Sequence, residues 1–231
     1  MKEKTLQTAK YVYSDGISNV EAGYRRRQKK SIVISLVLLA IMLVLAAIMM
    51  LYGNTIYTPR QVWEALNEVE GSAIFTVKTL RLPRMLIAIL AGFAFGMAGN
   101  TFQQLLGNPL ASPDIIGVTS GASVAAVFGI LVLKLPTGIV SLLAVVSGLF
   151  VSCLIYVLAQ GGGFSNARLI LTGIGMQAFL NAIISWLLLK ASEYDVANAL
   201  RWLSGSLNGV KLSEVLPLGI VVCAAGCGIL L

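Results

Sequence analysis

Predominantly apolar runs of about twenty residues recur along this chain, separated by short polar clusters. A run of that length crosses a hydrocarbon layer of about 30 Å as an α-helix, so each predicts a membrane span. Spans are expected over 31–52, 85–106, 115–133, 139–159 and 169–189, with a sixth starting near Val215. Gly53-Asn54 closes the first run with turn chemistry. Between the first two runs, Thr58-Pro59 followed by Gln61-Val62-Trp63-Glu64-Ala65-Leu66 predicts a short amphipathic surface helix with proline in its first turn. Asn108-Pro109 with Ser112-Pro113 makes a hairpin too stiff to continue a helix. Lys134 to Gly138 and Gly161-Gly162-Gly163 read as turns. Residues 190–212 are too polar to span, and Tyr194 to Leu203 there predicts a second short interfacial helix. The last run reaches Leu231 with no polar flank, so the sequence reads as a fragment ending inside or beside its sixth span.

Composition agrees with a bilayer as the solvent. The chain is 57% hydrophobic and 12% charged, with mean hydropathy +0.86, against about 45–50% and about 25% for soluble domains. Its net charge of +7 is concentrated ahead of the first run, at Arg25, Arg26, Arg27, Lys29 and Lys30. Nucleic-acid binding is one reading of that cluster. The alternative is a topology signal, since juxtamembrane cations hold their flank in the cytoplasm and can touch anionic headgroups. The second reading divides the chain into a cytoplasmic basic tail, 1–30, and a transmembrane domain, 31–231. It places 161–166 inside, and 55–82 and 193–212 outside, in a multi-pass protein of the inner (plasma) membrane. The first apolar run is too long for a cleavable signal peptide, and no small-residue cleavage site precedes Gly53. With no histidine in the chain, imidazole metal sites, His-ligated haem and His-based acid–base catalysis are excluded. No catalytic residue, cofactor or metal site is assigned. Cys153, Cys223 and Cys227 lie in apolar runs and read as small packing residues.

Small residues at helical spacing, Ala88, Gly92 and Gly96, then Gly117, Gly121, Ala125 and Gly129, predict close helix contacts. Amides within spans must face protein or water. Asn100, Gln103 and Gln104 therefore mark one polar patch, and Gln177, Asn181 and Ser185, spaced by four, mark a stripe that either bonds between helices or lines a solvated pathway. No acidic or basic residue lies deep in a span, so a proton relay or ion-coupled carrier is poorly supported. Arg81-Leu82-Pro83-Arg84 sets two cations on a turn of fixed φ, suited either to lipid phosphates or to carboxylates of a docking partner.

Arg81-Leu82-Pro83-Arg84, Gly99 with Gln103, Asn108-Pro109-Leu110-Ala111 through Pro113, Gly117-Val118, Gly121-Ala122, and Arg168 to Leu171 with Gly173-Ile174 together resemble the FecCD/BtuC-type permease family of ABC importers. The resemblance covers 31–231. It implies an all-α polytopic membrane protein with the type II ABC-importer permease fold, about six of the family's ten transmembrane helices being present. It implies a transport subunit, not an enzyme, for uptake of an iron-siderophore, haem or cobalamin-like metal chelate. The implied partners are a second permease subunit, two cytoplasmic ATPase subunits and an external substrate-binding protein. Arg81 and Arg84 match the arginines that meet acidic residues of that binding protein. Ser165 and Asn166 fall at the cytoplasmic gate, where relatives can carry hydroxyl residues. The sequence leaves the chelate and the choice of homodimer or heterodimer open. A small six-span channel or scaffold without an ATPase is the competing reading.

Overall fold

The computed structural model describes residues 2–67, 73–161, 163 and 165–230, with backbone alone for 2–22 and 230. Among them there are helices and turns and no strand. Eight α-helices follow in order: α1 Lys2–Leu51, α2 Pro59–Leu66, α3 Leu82–Leu106, α4 Val118–Leu131, α5 Thr137–Ala159, α6 Asn166–Lys190, α7 Glu193–Leu203 and α8 Leu212–Leu230. The chain divides into two compact units, Met1–Met85 and Leu86–Leu231.

In the first unit α1 is one continuous helix with no break at Ser31, so the expected boundary after residue 30 marks a change of composition and not of backbone. The expected surface helix is α2. Thr58 caps it by accepting from the Gln61 amide, while Gln61 returns a bond to the Thr58 amide, and Pro59 occupies the first turn. A π-helical segment, Phe75–Arg81, leads straight into α3. Helix therefore begins well before Met85, where the apolar run alone had placed it. Pro83 explains the widening: it offers no N–H, and its ring would meet the carbonyl four residues back in an ordinary α-turn. Val62, Ala65, Ala73 and Val77 are buried with Met50 at the end of α1.

The second unit packs around α4, α5 and α6. Among the described residues five helical segments are long and apolar enough to cross a membrane, namely Gly23–Leu51, Phe75–Leu106, Thr137–Ala159, Asn166–Lys190 and Leu212–Ile229. The expected third span is corrected by α4, which has 14 residues and is about 21 Å long at 1.5 Å per residue. Its start is displaced because Ser112 and Pro113 open a 3-10 turn over Pro113–Ile116 and Gly117 then turns left-handed at φ 72°. Val118 is the first residue free to wind as α-helix.

The close contacts lie where backbone meets backbone. A side chain on Gly121 would come within 2.8 Å of Val151, and one on Gly148 within 3.0 Å of the Val118 carbonyl. Ser147 Oγ adds a hydrogen bond to the Gly121 carbonyl at 2.8 Å, joining α5 to α4. The tightest approach is at Gly173 of α6, where a Cβ would stand 1.7 Å from the Ile115 carbonyl oxygen. Gly92 and Gly96, expected in close contacts, have no described atom within 4 Å of where a Cβ would be. All three cysteines are free, and they are exposed on the helix surfaces of this chain.

Candidate functional site

Arg81 ends the π-helical segment with a side chain only 7% exposed. It shares the buried face with Val77 of that segment and with Ala73 just before it, residues four apart along the chain. Its Nη1 donates to the Met50 carbonyl at 2.7 Å, and its Nη2 to the Thr55 carbonyl at 2.5 Å. The guanidinium carbon lies 5.1 Å from the centre of the Tyr57 ring. Met50 is in the last turn of α1, where carbonyls lack helical partners and the dipole favours a cation. Gly53 makes room, since a Cβ there would stand 2.7 Å from Arg81 Nη2. Tyr57 in turn donates to Thr76 Oγ1 at 3.3 Å. Hydrogen bonds with Thr55 and Thr76, aided by the Arg81 charge, hold its hydroxyl below the ordinary value of 10.0. Arg84, three residues on, is half-buried. The two arginines of one motif thus differ in setting: Arg81 is bound to backbone carbonyls within its own unit, and Arg84 keeps more of its surface.

At one end of the second unit, α3 closes on Gly107 at φ 59°, with the Gly107 amide on Gln104 and the Asn108 amide on Gln103. This Schellman arrangement satisfies two of the last carbonyls of α3. Asn108 Oδ1 accepts from the Leu110 amide, and the Asn108 carbonyl from the Ala111 amide, so Pro109 sits at the corner of a tight turn that buries Ala111. Asn166, at the start of α6, donates through Nδ2 to the Leu106 carbonyl at 3.3 Å. Ser165 is exposed at the N-cap of α6 with no capping bond from its side chain. Arg168 donates to the Gly163 carbonyl at 3.1 Å. The structure therefore brings the Asn108-Pro109 turn and the Ser165–Asn166 position to the same end of the bundle.

Along α6 the buried set is Leu169, Gly173, Leu180, Ile184 and Leu187. Gln177 is half-buried at the edge of that face, whereas Asn181 and Ser185 are exposed, because a spacing of four drifts about 40° per step around a helix of 3.6 residues per turn. Ser185 Oγ bonds the Asn181 carbonyl of its own helix at 3.0 Å. Asn100, Gln103 and Gln104 are also exposed. At the other end of the unit, Lys134 pairs with Asp195 in the first turn of α7, and Ser192 donates to the same carboxylate at 2.7 Å. Hydrogen bonds from Lys134 and then Ser192 hold the Asp195 carboxyl below its ordinary value of 3.8. Sequence reading missed this pair. The signal was a lysine in a tight turn and an aspartate three residues after a capping serine.

These features define a multi-pass helical membrane protein whose motif residues govern helix approach and helix ends. The chain belongs to the FecCD transport family, whose model matches residues 36–231. It is 39% identical over 158 residues to the ferric enterobactin transport system permease protein FepG of Escherichia coli K12, covering 68% of this chain and 48% of that protein. It is 38% identical to the achromobactin transport system permease protein CbrC of Dickeya dadantii, covering 80% and 54%. It is 31% identical to the vitamin B12 import system permease protein BtuC of Vibrio vulnificus, covering 83% and 58%. The chain thus spans about half the length of the curated relatives it matches. A solved structure described as an inward-facing conformation of a metal-chelate type ABC transporter shares the fold, with TM-score 0.66 and 24% identity over 77% of this chain and 55% of that one.

Proposed function

We propose that this chain forms part of the transmembrane pathway of an ABC importer that moves an iron-siderophore, haem or cobalamin-like metal chelate across the inner membrane. The observation that carries the reading is the family match from residue 36 to 231, with relatives named for ferric enterobactin, achromobactin and vitamin B12 transport. The spans carry no acidic residue that could pass a proton between Phe75 and Lys190, which supports an energy source outside the bilayer. Two ATPase subunits supply that energy, a second permease subunit completes the pathway, and an external binding protein delivers the chelate. The N-terminus is cytoplasmic, supported by the five cations ahead of the first span.

Within this reading Arg84 is the docking cation for acidic groups of the binding protein, and Arg81 has a share through the shape of the loop that it pins. Gln177, Asn181 and Ser185 line the pathway, and Ser165 and Asn166 stand at the cytoplasmic gate. The test is binding-protein affinity for the subunit containing this chain, in nanodiscs at low and high salt. Arg84→Glu should weaken association and reduce its salt dependence, and a Glu→Arg change on the facing surface of the binding protein should partly restore it. Unchanged affinity and unchanged salt dependence would remove the docking role.

A further inference from the structure

We propose that Arg25, Arg26, Arg27, Lys29 and Lys30 form a collar that binds the acidic phospholipid headgroups of the surrounding bilayer. The backbone is helical without a break from Lys2 to Leu51, so the cluster rides on the same rigid rod as the first span. At 1.5 Å per residue, Arg25 lies about 9 Å along the axis from Ser31, within reach of the headgroup layer. The cations are therefore held at the depth where phosphates lie.

Their distribution around the rod also favours lipid. At about 100° per residue the five positions spread over roughly 200° of the helix circumference, whereas one protein partner would engage a single face. All five are exposed, as is Tyr24 beside them, an aromatic suited to the interface. None of the apolar window of Gly23–Leu51 is buried, and among the described side chains the core contacts of α1 are those of Met50 and Leu51 at its far end. No acidic residue occurs from 23 to 58. The nearest acidic residue, Glu21, stands four residues before Arg25 and can pair by spacing with that arginine alone, which leaves Arg26, Arg27, Lys29 and Lys30 with no acidic residue three or four positions away.

The purified chain can be titrated in detergent with phosphatidylglycerol or phosphatidylcholine of matched acyl chains, counting retained lipids by native mass spectrometry. With about fivefold attraction for each cation near an acidic surface, phosphatidylglycerol should be retained at least about fivefold better, and less so at high salt. R25Q/R26Q/R27Q should remove most of that preference. R25K/R26K/R27K should keep it within about twofold, because headgroups read the charge and do not require a bidentate fork. Equal retention of the two lipids by the unaltered chain would overturn the proposal even if the glutamine variant fails to fold. So would displacement of phosphatidylglycerol by inorganic phosphate, which marks a free-anion site, or by an RNA oligonucleotide. Loss of preference in the lysine variant would equally overturn it, pointing to a fork-dependent protein partner.

Discussion

Arg81 and Gly53 explain one another. A guanidinium bonded to the Met50 and Thr55 carbonyls needs space beside the turn, and Gly53 supplies it. Hydrogen bonds from charged groups contribute about 1.5–3 kcal/mol each, and a buried carbonyl left without a partner adds to the loss. Arg81→Ala should accordingly lower thermal stability in detergent clearly more than Arg84→Ala. Arg81→Lys should recover only part of it, since one compact ammonium cannot reproduce a fork that reaches two carbonyls. Equal stability of the two alanine variants would contradict the pinning role. A second comparison concerns glycine. Gly173→Ala should destabilise by about 1–3 kcal/mol or force α6 off the 3-10 turn, while Gly92→Ala should leave this chain's stability unchanged, as read by thermal unfolding of each. Gly92 stands in a small-residue ladder of the sequence, and Gly173 stands there only beside Ile174 among the residues of the family resemblance. Only the path of a neighbouring backbone, the Ile115 carbonyl, separates them, and periodicity does not encode that path.

Among the elements, long apolar helices were the most legible. Thr137–Ala159 and Asn166–Lys190 lie within three residues of the expected spans, because apolar length and glycine or proline turns coincide there. The short surface helices were legible too, since Thr58-Pro59 and Ser192 are caps with side chains that bond the first turn. Two boundaries were not. The π-helical start of α3 includes Lys78 and Arg81, whose charges read as loop until Arg81 has backbone carbonyls to meet. The late start of α4 depends on Gly117 turning left-handed, an option that glycine permits but does not announce. The clamp between Lys134 and Asp195 gives α7 a pH dependence whose sign follows from the lowered carboxyl. Its contribution is complete above 3.8 and is lost as pH falls through the still lower folded-state value. Hydrogen exchange of α7 amides, referred at each pH to the intrinsic exchange rate, should therefore rise on acidification below 3.8 in the natural chain. In Asp195→Asn it should be faster at neutral pH and nearly flat across that range. A natural chain with no such rise would show that the pair does not hold α7.

At the scale of the whole molecule, the residues that carry the family resemblance mostly shape backbone. Asn108, Pro109 and Ala111 build a turn, Gly117 a helix start, Gly121 and Gly173 close approaches, and Arg81 a helix end. This explains why the family was readable from sequence while the chelate was not: a shared architecture needs the same glycines and turns, but different cargo does not. Orientation is checked by cysteine labelling in whole cells, using single cysteines at Gln61 and Gly161 in a cysteine-free background. Gln61 should label from outside and Gly161 only after permeabilisation, and the reverse pattern would invert the proposed topology. The proposed pathway is driven by nucleotide and fed by a binding protein. Proteoliposomes holding the subunit that contains this chain, with its ATPase and binding-protein partners, can be assayed for uptake of a radiolabelled ferric chelate or cobalamin. Uptake should require ATP and the binding protein together, and it should fall when Arg84 is replaced by Glu. Chelate flux that proceeds equally without nucleotide would contradict the proposed pathway and favour a channel.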